Sequence, residues 1–452
     1  MSAIAAASLG KYHQHNPKAT PLYQIVAQYF GEFKRVYPER FQEQYGYWRE
    51  CVDKAVAAFL ECGIFEFGFA KVHCKGCGYT MLVPFSCKAR CFCPSCQQKR
   101  TILWAEWLTE EVLAPVEHRQ FVFTIPKILR RYFLRNRSLL GELARCAWLT
   151  LKEFFASVYP DITEPITPAA VLCIQTFGNL LSWNSHIHGI IANGCFVGDV
   201  FHPLPEIYLT QGLDTLSQLF RAQVITMLRK QNLLSEELAR NILNWRHNSG
   251  FSVHSSSVIA PGDKQALESL AQYILRNPVS QERIILGKDG TVTYHTKAVN
   301  PNFSANFVIF KDPLEFLAEV VQHIPGRTHI VRYFGRYSNV SRGKHEDEEA
   351  RETLEPMPES RIPRATRQAW ARLIAKIYLA DPLICPRCGS SMKISKFVQK
   401  EEEIQATLDT LGIPYHNSSQ PPPAPPPADD YVIIPDMDGD SFHDDENTLF
   451  LD

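Results

Sequence analysis

The spacing of the cysteines between residues 74 and 96 constrains the fold more than any other feature of this sequence. Two residues separate Cys74 from Cys77 and Cys93 from Cys96, and fifteen residues lie between the two pairs. Two intervening residues let one tight turn direct both thiolates at one ion, and the glycine after Cys77 and the proline after Cys93 favour such turns. The spacing therefore predicts a structural zinc ion bound by these four cysteines, with no position open for a substrate.

Other cysteines leave the ligand set open. Cys87 and Cys91 lie between the two pairs, and either could replace one of the four ligands. Cys385 and Cys388, in the stretch CPRCG, form only half a zinc site, which could be completed by a distant ligand, by a second subunit or not at all. With 13 cysteines and no recognisable export signal, metal ligation is expected rather than disulfide bonding.

Charge is distributed unevenly along the 452 residues. Thirteen of the 48 Asp and Glu residues lie between 401 and 452, where there is no Lys or Arg, so residues 1–400 hold 47 basic and 35 acidic side chains, a formal net charge of +12. This excess fits a polyanionic partner such as nucleic acid. The acidic segment contains the stretch PPPAPPPADD and is expected to be disordered. No segment approaches ~18 consecutive apolar residues, so we expect a cytoplasmic protein without a membrane span.

The stretch SWNSHIHGII, residues 182–191, has the β-branched content of a strand and places two histidines one residue apart. Because side chains alternate along a strand, His186 and His188 share one face. Two neutral imidazoles held side by side form half of a metal site. The alternative is that both are simply polar side chains on the solvent-facing side of a half-buried sheet.

The rest of the pattern is typical of an α+β protein with mostly antiparallel strands. Residues 21–69 have helical periodicity, and residues 261–277 are predicted to form a further helix with Leu267, Leu270 and Ile274 on its buried face. Asp289 and Gly290 mark a hairpin turn.

Five segments, taken together and in order, resemble the transposases of the insertion sequence 91 type, including those of the common-region elements. They are VPFSCKARCFCPSCQQKR, FVFTIPKILR, IQTFGNLLSWNSHIHGIIANG, LESLAQYILRNP and DPLICPRCG. These transposases are HUH single-strand nucleases, named for two histidines around a bulky hydrophobic residue. The resemblance extends from about residue 21 to 397 and implies an antiparallel-sheet HUH nuclease core that follows an N-terminal zinc-binding domain.

The expected organisation follows from these segments and from the composition. We expect a flexible N-terminus over 1–20, a helical and zinc-binding domain over 21–113, and the HUH nuclease domain over 114–340. A linker and a helix with the last CxxC pair follow over 341–400, and the acidic Pro-rich tail over 401–452.

The resemblance implies that His186 and His188 bind a catalytic divalent ion, Mg²⁺ or Mn²⁺. The residues themselves leave the third ligand open. Gln175 is favoured, because it lies on the strand-like segment before the histidines. Asn277 and His254 are the alternatives.

The resemblance also implies that Tyr273 is the nucleophile that attacks DNA. Members of the family with two catalytic tyrosines carry them four residues apart, but here Ser269 and Asn277 occupy the positions four residues before and after Tyr273. The chain is therefore similar to the single-tyrosine branch. Tyr333 and Tyr337 have the two-tyrosine spacing further along the chain and are alternative nucleophiles.

Lys99, Arg100 and Arg276 are candidate contacts to DNA phosphates. The resemblance implies a rolling-circle DNA transposase that nicks and rejoins single-stranded DNA at element ends through a covalent 5′-phosphotyrosine, in the bacterial cytoplasm in association with the nucleoid. A rolling-circle replication initiator or relaxase with the same chemistry is one alternative, and a zinc-containing DNA-binding protein without catalytic activity is another. The oligomeric state is left open.

Overall fold

The computed structural model describes residues 16–245, 250–296, 306–342 and 385–415. Residues 1–15 of the predicted flexible N-terminus, residues 343–384 with most of the predicted linker and its helix, and residues 416–452 of the predicted acidic tail lie outside these residues. Within the described ranges, no helix has both the length and the apolar character needed to cross a membrane.

The described elements combine helices with antiparallel strands, which confirms the predicted mixture of helix and antiparallel sheet. The helices are α1 (Pro21–Arg40), α2 (Gln42–Tyr45), α3 (Glu50–Glu61), α4 (Pro94–Trp107), α5 (Lys127–Arg135), α6 (Leu139–Val158), α7 (Ile207–Lys230), α8 (Glu236–Leu243), α9 (Lys264–Ile274), α10 (Pro313–Val321) and α11 (Glu401–Thr410). The strands are β1 (Phe69–Cys74), β2 (Thr80–Pro84), β3 (His118–Thr124), β4 (Ile166–Phe177), β5 (Trp183–Val197), β6 (Val200–Pro203), β7 (Ser252–Ser255), β8 (Ile284–Leu286), β9 (Val292–His295), β10 (Phe307–Phe310), β11 (Val331–Gly335) and β12 (Met392–Val398).

The two histidines lie on the central strand of a six-stranded antiparallel sheet. Its order is β11-β4-β5-β3-β7, with β6 also paired to β5. On one face of the sheet, Ile187 and Ile191 of β5 pack with α6 and α7. On the other face, Ile190 packs into the core that contains residues of α4 and α9. Because the faces alternate, His186 and His188 lie on the side of α9. Both are buried, with 8% and 4% exposed, so the solvent-facing alternative is wrong.

Helix α9 forms within the predicted range 261–277. The side chain of Asp263 caps it by accepting a hydrogen bond from the backbone N–H of Ala266 at 3.0 Å. Its predicted apolar face is confirmed, since Leu267, Leu270 and Ile274 are all buried. The helix ends at Ile274, shortly before the proline at 278, whose ring disfavours helical backbone in the preceding residue.

The predicted hairpin turn is also confirmed. Strands β8 and β9 pair antiparallel on either side of Asp289 and Gly290, and Gly290 has a φ of +86°, in the left-handed region that glycine enters without strain. With β10 these strands form a separate three-stranded sheet in the order β10-β9-β8.

A second core joins the N-terminal helices to a later part of the chain. Helices α1 and α3 pack with α10 and with the β8–β10 sheet. Arg49 donates hydrogen bonds to the backbone carbonyls of Val321 and Ile324 at 2.6 and 2.7 Å. A segment predicted within the nuclease domain 114–340 thus completes the core of the preceding domain, a contact between distant segments that local periodicity cannot reveal.

The described C-terminal segment also returns to the N-terminal part. Strand β12 pairs with β1 in a sheet of order β12-β1-β2. Helix α11 buries Ile404 and Leu408 against Phe65 and Phe69. The predicted disordered tail over 401–452 is therefore corrected at its start, because two apolar residues four positions apart give α11 a face to bury.

Candidate functional site

The imidazoles of His186 and His188 converge on one point. Their Nε2 atoms are 3.0 Å apart, with the rings at 66° to each other. Adjacent ligands of an octahedral ion bound at ~2.1 Å lie about 3.0 Å apart. The separation is that of two nitrogens sharing a single divalent ion, and it is equally that of an N–H···N hydrogen bond between the rings.

Hydrogen bonds to the other ring nitrogens determine the tautomer of each histidine. Nδ1 of His186 lies 2.9 Å from the backbone carbonyl of Asn184, which can only accept, so Nδ1 carries the proton and the Nε2 lone pair points at His188. The amide nitrogen of Gln120 lies 2.9 Å from Nδ1 of His188. In this orientation the amide group donates to Nδ1, so Nε2 of His188 carries the proton and donates to Nε2 of His186; a half-turn of the amide would present its oxygen to Nδ1 and free the Nε2 of His188 for a metal ion.

Burial keeps both histidines neutral near pH 7. It lowers the pKa of His186 to about 4, with a smaller contribution from the positive charges of Arg276 and Arg130. Burial lowers the pKa of His188 well below its ordinary value, and His186 and Arg276 add to the effect. Two neutral imidazoles in a positively charged surrounding suit a site that receives a metal ion together with an anion.

Gln175 lies where the third ligand was predicted. It is directly opposite His186 in the register between β4 and β5, so the two side chains share one face of the sheet. Its side-chain nitrogen donates to the carbonyl of Ile274 at 2.8 Å, and its oxygen is buried without a hydrogen-bond partner. A buried, unpartnered amide oxygen is costly unless it binds a group absent from the protein itself, such as a metal ion.

The two alternative ligands fit less well. His254 is exposed and lies two strands from His188, with Val122 between them, so about 10 Å of sheet separates the backbones. Asn277 follows the end of α9 and does not share its helical face with Tyr273, although its oxygen is also buried without a partner. The geometry favours Gln175.

Helix α9 places Tyr273 beside the histidine pair. The rings of Tyr273 and His188 are 5.7 Å apart between centroids and nearly perpendicular, at 87°. The guanidinium of Arg276 lies 4.4 Å from the centre of the Tyr273 ring. A phenol, two imidazoles and a guanidinium therefore meet at one face of the sheet.

The alternative tyrosines are engaged elsewhere. The hydroxyl of Tyr337 lies 2.6 Å from Nε2 of His118 in a buried pair, and that of Tyr333 accepts a hydrogen bond from the indole of Trp104 at 2.8 Å. Burial raises the pKa of both phenols. Neither has a described contact with His186 or His188.

The predicted DNA contacts lie on α4 and just beyond the end of α9. Arg276 lies at the site itself, just beyond the end of α9. Lys99 and Arg100 are on α4, where Arg100 is exposed and Lys99 half-buried. Because α4 packs against α9, all three residues lie on neighbouring elements.

The cysteines divide into two groups that differ from the predicted one. Cys93 and Cys96 meet Cys62 and Cys87, whereas Cys74 and Cys77 meet Cys385 and Cys388. In each group the four sulfur atoms lie within 4.8 Å of one another. The predicted set of Cys74, Cys77, Cys93 and Cys96 is corrected, because the two CxxC pairs lie on separate elements, β1 with its following turn and the start of α4.

The first cysteine group, Cys62, Cys87, Cys93 and Cys96, resembles a thiolate zinc site in its backbone contacts. The N–H of Cys87 donates to the sulfur of Cys62, and the N–H of Ala89 to that of Cys87, both at 3.4 Å. Sulfur–sulfur distances of 3.5 to 3.9 Å agree with the ~3.8 Å edge of a tetrahedral zinc site. Cys87 thus occupies the position that spacing left open.

Cys91 does not join that group. It is buried, and its N–H donates to the side-chain oxygen of Gln97 at 3.1 Å. Gln97 in turn donates to the carbonyl of Leu275 at 2.8 Å, and Thr101 donates to the same carbonyl at 3.0 Å. Cys93 and Cys96 lie at the start of α4. Side chains of this helix therefore connect the first cysteine group to the end of α9, the helix that carries Tyr273. Sequence reasoning missed Gln97 and Cys62, neither of which has a local signature.

Comparison with known proteins agrees with this layout. A family described as transposase zinc-binding domain matches residues 32–125, which include Cys62 to Cys96, and a family described as putative transposase matches residues 169–344, which include the histidine pair and Tyr273. Cys385 and Cys388 lie outside both matches. A putative transposase, y4qJ, of Sinorhizobium fredii (strain NBRC 101917 / NGR234) is 25% identical over 383 residues, 80% of this chain and 93% of that protein. No solved structure matches. Both domains occur in the order expected for the insertion sequence 91 type, and these matches are consistent with an insertion sequence 91-like transposase that has a zinc-binding domain.

Proposed function

We propose that the protein is an HUH tyrosine transposase that nicks and rejoins single-stranded DNA at the ends of its element. The observation that carries the proposal is the convergence of the His186 and His188 Nε2 atoms at 3.0 Å, with Tyr273 beside them. The unpartnered oxygen of Gln175 supports it as the third ligand. The transposase family supplies DNA as the substrate class.

The residues present suit attack on a phosphodiester. The Tyr273 oxygen forms a bond to phosphorus as the bond from phosphorus to the 3′ oxygen breaks, so the 5′ phosphate is joined to the protein. The phenol proton is released to solvent and the 3′ oxygen takes up a proton. Because a phenol is an adequate leaving group, a 3′ hydroxyl can later attack the same linkage and rejoin DNA without a further energy source.

Charge around the tyrosine favours this step. Arg276 contacts the Tyr273 ring and places a positive charge where the nucleophile and the phosphate both carry negative charge. Arg130 also acts on His186 electrostatically. A divalent ion held by the two histidines and Gln175 would supply further neutralisation of the phosphate oxygens. Lys99 and Arg100, on the neighbouring α4, extend the positive surface along the DNA.

Zinc in the first cysteine group would have a positioning role. A closed four-thiolate site has no open position, so it stabilises structure rather than reacting with DNA. Here it would hold the start of α4, from which Gln97 and Thr101 donate hydrogen bonds to the carbonyl of Leu275 at the end of α9. The zinc-binding domain thereby supports the orientation of the nucleophile's helix.

The two unpartnered oxygens allow a direct test of the third ligand. We expect Gln175→Met to raise the dissociation constant for Mn²⁺ by about tenfold or more, because it removes a ligand oxygen while keeping the side chain's length. Asn277→Leu, the matched change at the alternative position, is expected to leave the constant within about twofold. Titration of Mn²⁺ followed by electron paramagnetic resonance measures both. The reverse ranking would assign the ligand to Asn277.

The proposed function predicts a strict choice of substrate. With Mg²⁺ or Mn²⁺, the protein should nick a single-stranded oligonucleotide that carries an element end, and chelation of the divalent ion should stop the reaction. The same sequence as a blunt duplex should react at least about 100-fold more slowly, because a paired strand cannot enter the site without separation. Binding of both DNA forms without cleavage of either would favour the non-catalytic alternative.

A further inference from the structure

The second cysteine group brings together residues more than 300 positions apart. The sulfur atoms of Cys74 and Cys388, and those of Cys77 and Cys385, are 3.5 Å apart, and all four lie within 4.8 Å. Four thiolates around one zinc ion lie about 3.8 Å from one another. The group therefore has the dimensions of a closed tetrahedral site.

The two halves of this group have the same backbone. In the first, the N–H of Gly78 donates to the carbonyl of Cys74 at 3.0 Å and that of Cys74 to the carbonyl of Tyr79 at 2.8 Å. Gly78 has a φ of +74°, which lets the chain turn tightly after the second cysteine.

The second half repeats each of these contacts. The N–H of Gly389 donates to the carbonyl of Cys385 at 2.9 Å, that of Cys385 donates to the carbonyl of Ser390 at 2.8 Å, and Gly389 has a φ of +71°. Two segments distant in sequence thus form the same metal-binding turn, which chance proximity of thiols would not produce.

The two turns lie in close contact, and the strands behind them are paired. A Cβ atom at Gly76 would lie 2.6 Å from the hydroxyl oxygen of Ser390 and 3.0 Å from its Cβ, so any larger residue at this position would displace the Ser390 side chain. Behind the turns, β12 pairs with β1 along six residues of β1, from Phe69 to Cys74. Val72 and Met392 lie in the same small core as Cys74 and Cys385.

This small core explains why a metal would be needed. Besides its cysteines, the core contains few buried apolar side chains, and such small units commonly depend on a metal for stability. Cys77 and Cys388 are exposed, so a bound ion could enter and leave from solvent.

We propose that Cys74, Cys77, Cys385 and Cys388 bind a second structural zinc ion, which fastens the segment 385–415 to the strands β1 and β2. Each thiol gives up its proton to solvent when the ion binds. The resulting zinc ribbon is assembled from two segments more than 300 positions apart, and the region 69–84 is incomplete without its C-terminal half.

Zinc content of the full-length protein tests the proposal. We expect two zinc ions per chain in the wild type, one in Cys388→Ser, and two in Cys388→His, since imidazole is also a zinc ligand. Cys51→Ser is the matched control outside both groups and should keep two. Plasma mass spectrometry gives the count. One zinc in the wild type, or two in Cys388→Ser, would overturn the proposal.

Limited proteolysis tests separately whether the second cysteine group fastens the segment 385–415. In Cys388→Ser, cleavage within 385–415 should become at least about tenfold faster, while the N-terminal helices keep their protection. Cobalt substituted for zinc should give the absorption of a tetrahedral four-thiolate site, weakened by about half in this variant. An unchanged cleavage rate within 385–415 or an unchanged cobalt spectrum would contradict the fastening role.

Discussion

Replacement of Tyr273 by phenylalanine is expected to lower the rate of single-strand nicking by at least about 10⁴-fold, because it removes the oxygen that forms the bond to phosphorus. Folding should be little affected, since Tyr273 is only half-buried and its ring, with the contact to His188, is retained. Single-turnover nicking of an end oligonucleotide measures the effect. DNA binding, measured separately, should change by less than about threefold.

Tyr333→Phe is the matched control for this change. It removes one hydroxyl from a tyrosine that bonds Trp104, at a cost of about 1 kcal/mol in unfolding free energy, and should nick at close to the wild-type rate. If Tyr333→Phe loses nicking and Tyr273→Phe keeps it, the nucleophile has been placed on the wrong element.

His186→Ala is expected to weaken Mn²⁺ binding by about 100-fold and to lower nicking by about 10³-fold, because one of the two converging nitrogens is removed. Excess Mn²⁺ should restore part of the rate, which a general loss of folding would not allow. Calorimetric titration of Mn²⁺ and nicking at increasing concentrations of the ion measure the two effects.

His254→Ala provides the comparison at an exposed histidine of the same sheet. It lies two strands away from the pair, so both metal binding and nicking should stay near the wild-type values. Equal losses in His186→Ala and His254→Ala would contradict the assignment of the metal site.

The histidine pair and the helix of Tyr273 could be predicted because their signals are local. Alternation along one strand puts His186 and His188 on one face, and the spacing of Leu267, Leu270 and Ile274 defines one face of a helix. What the sequence could not reveal is how deeply the pair is buried. That burial depends on α4 and α9 covering the strand from a distance in the chain.

The predicted grouping of the cysteines was wrong because the signal that it needed is not local. A CxxC spacing identifies two ligands of one ion, but it carries no information on which other pair completes the site. The pairing of β1 with β12 brings Cys74 close to Cys388, and the packing of α3 brings Cys62 close to Cys93. Such partners are selected by long-range packing, and a lone cysteine such as Cys62 at the end of a helix has no local motif.

We propose that Tyr273 becomes covalently joined to the 5′ phosphate of nicked DNA, and mass spectrometry of the trapped complex would identify the joined residue. The protein would be incubated with an end oligonucleotide and Mn²⁺, denatured, digested with nuclease and protease, and the peptides sequenced. We expect a nucleotide attached to Tyr273 and to no other residue. Nicking that leaves a free 5′ phosphate and no modified peptide, or a nucleotide on another tyrosine, would contradict it.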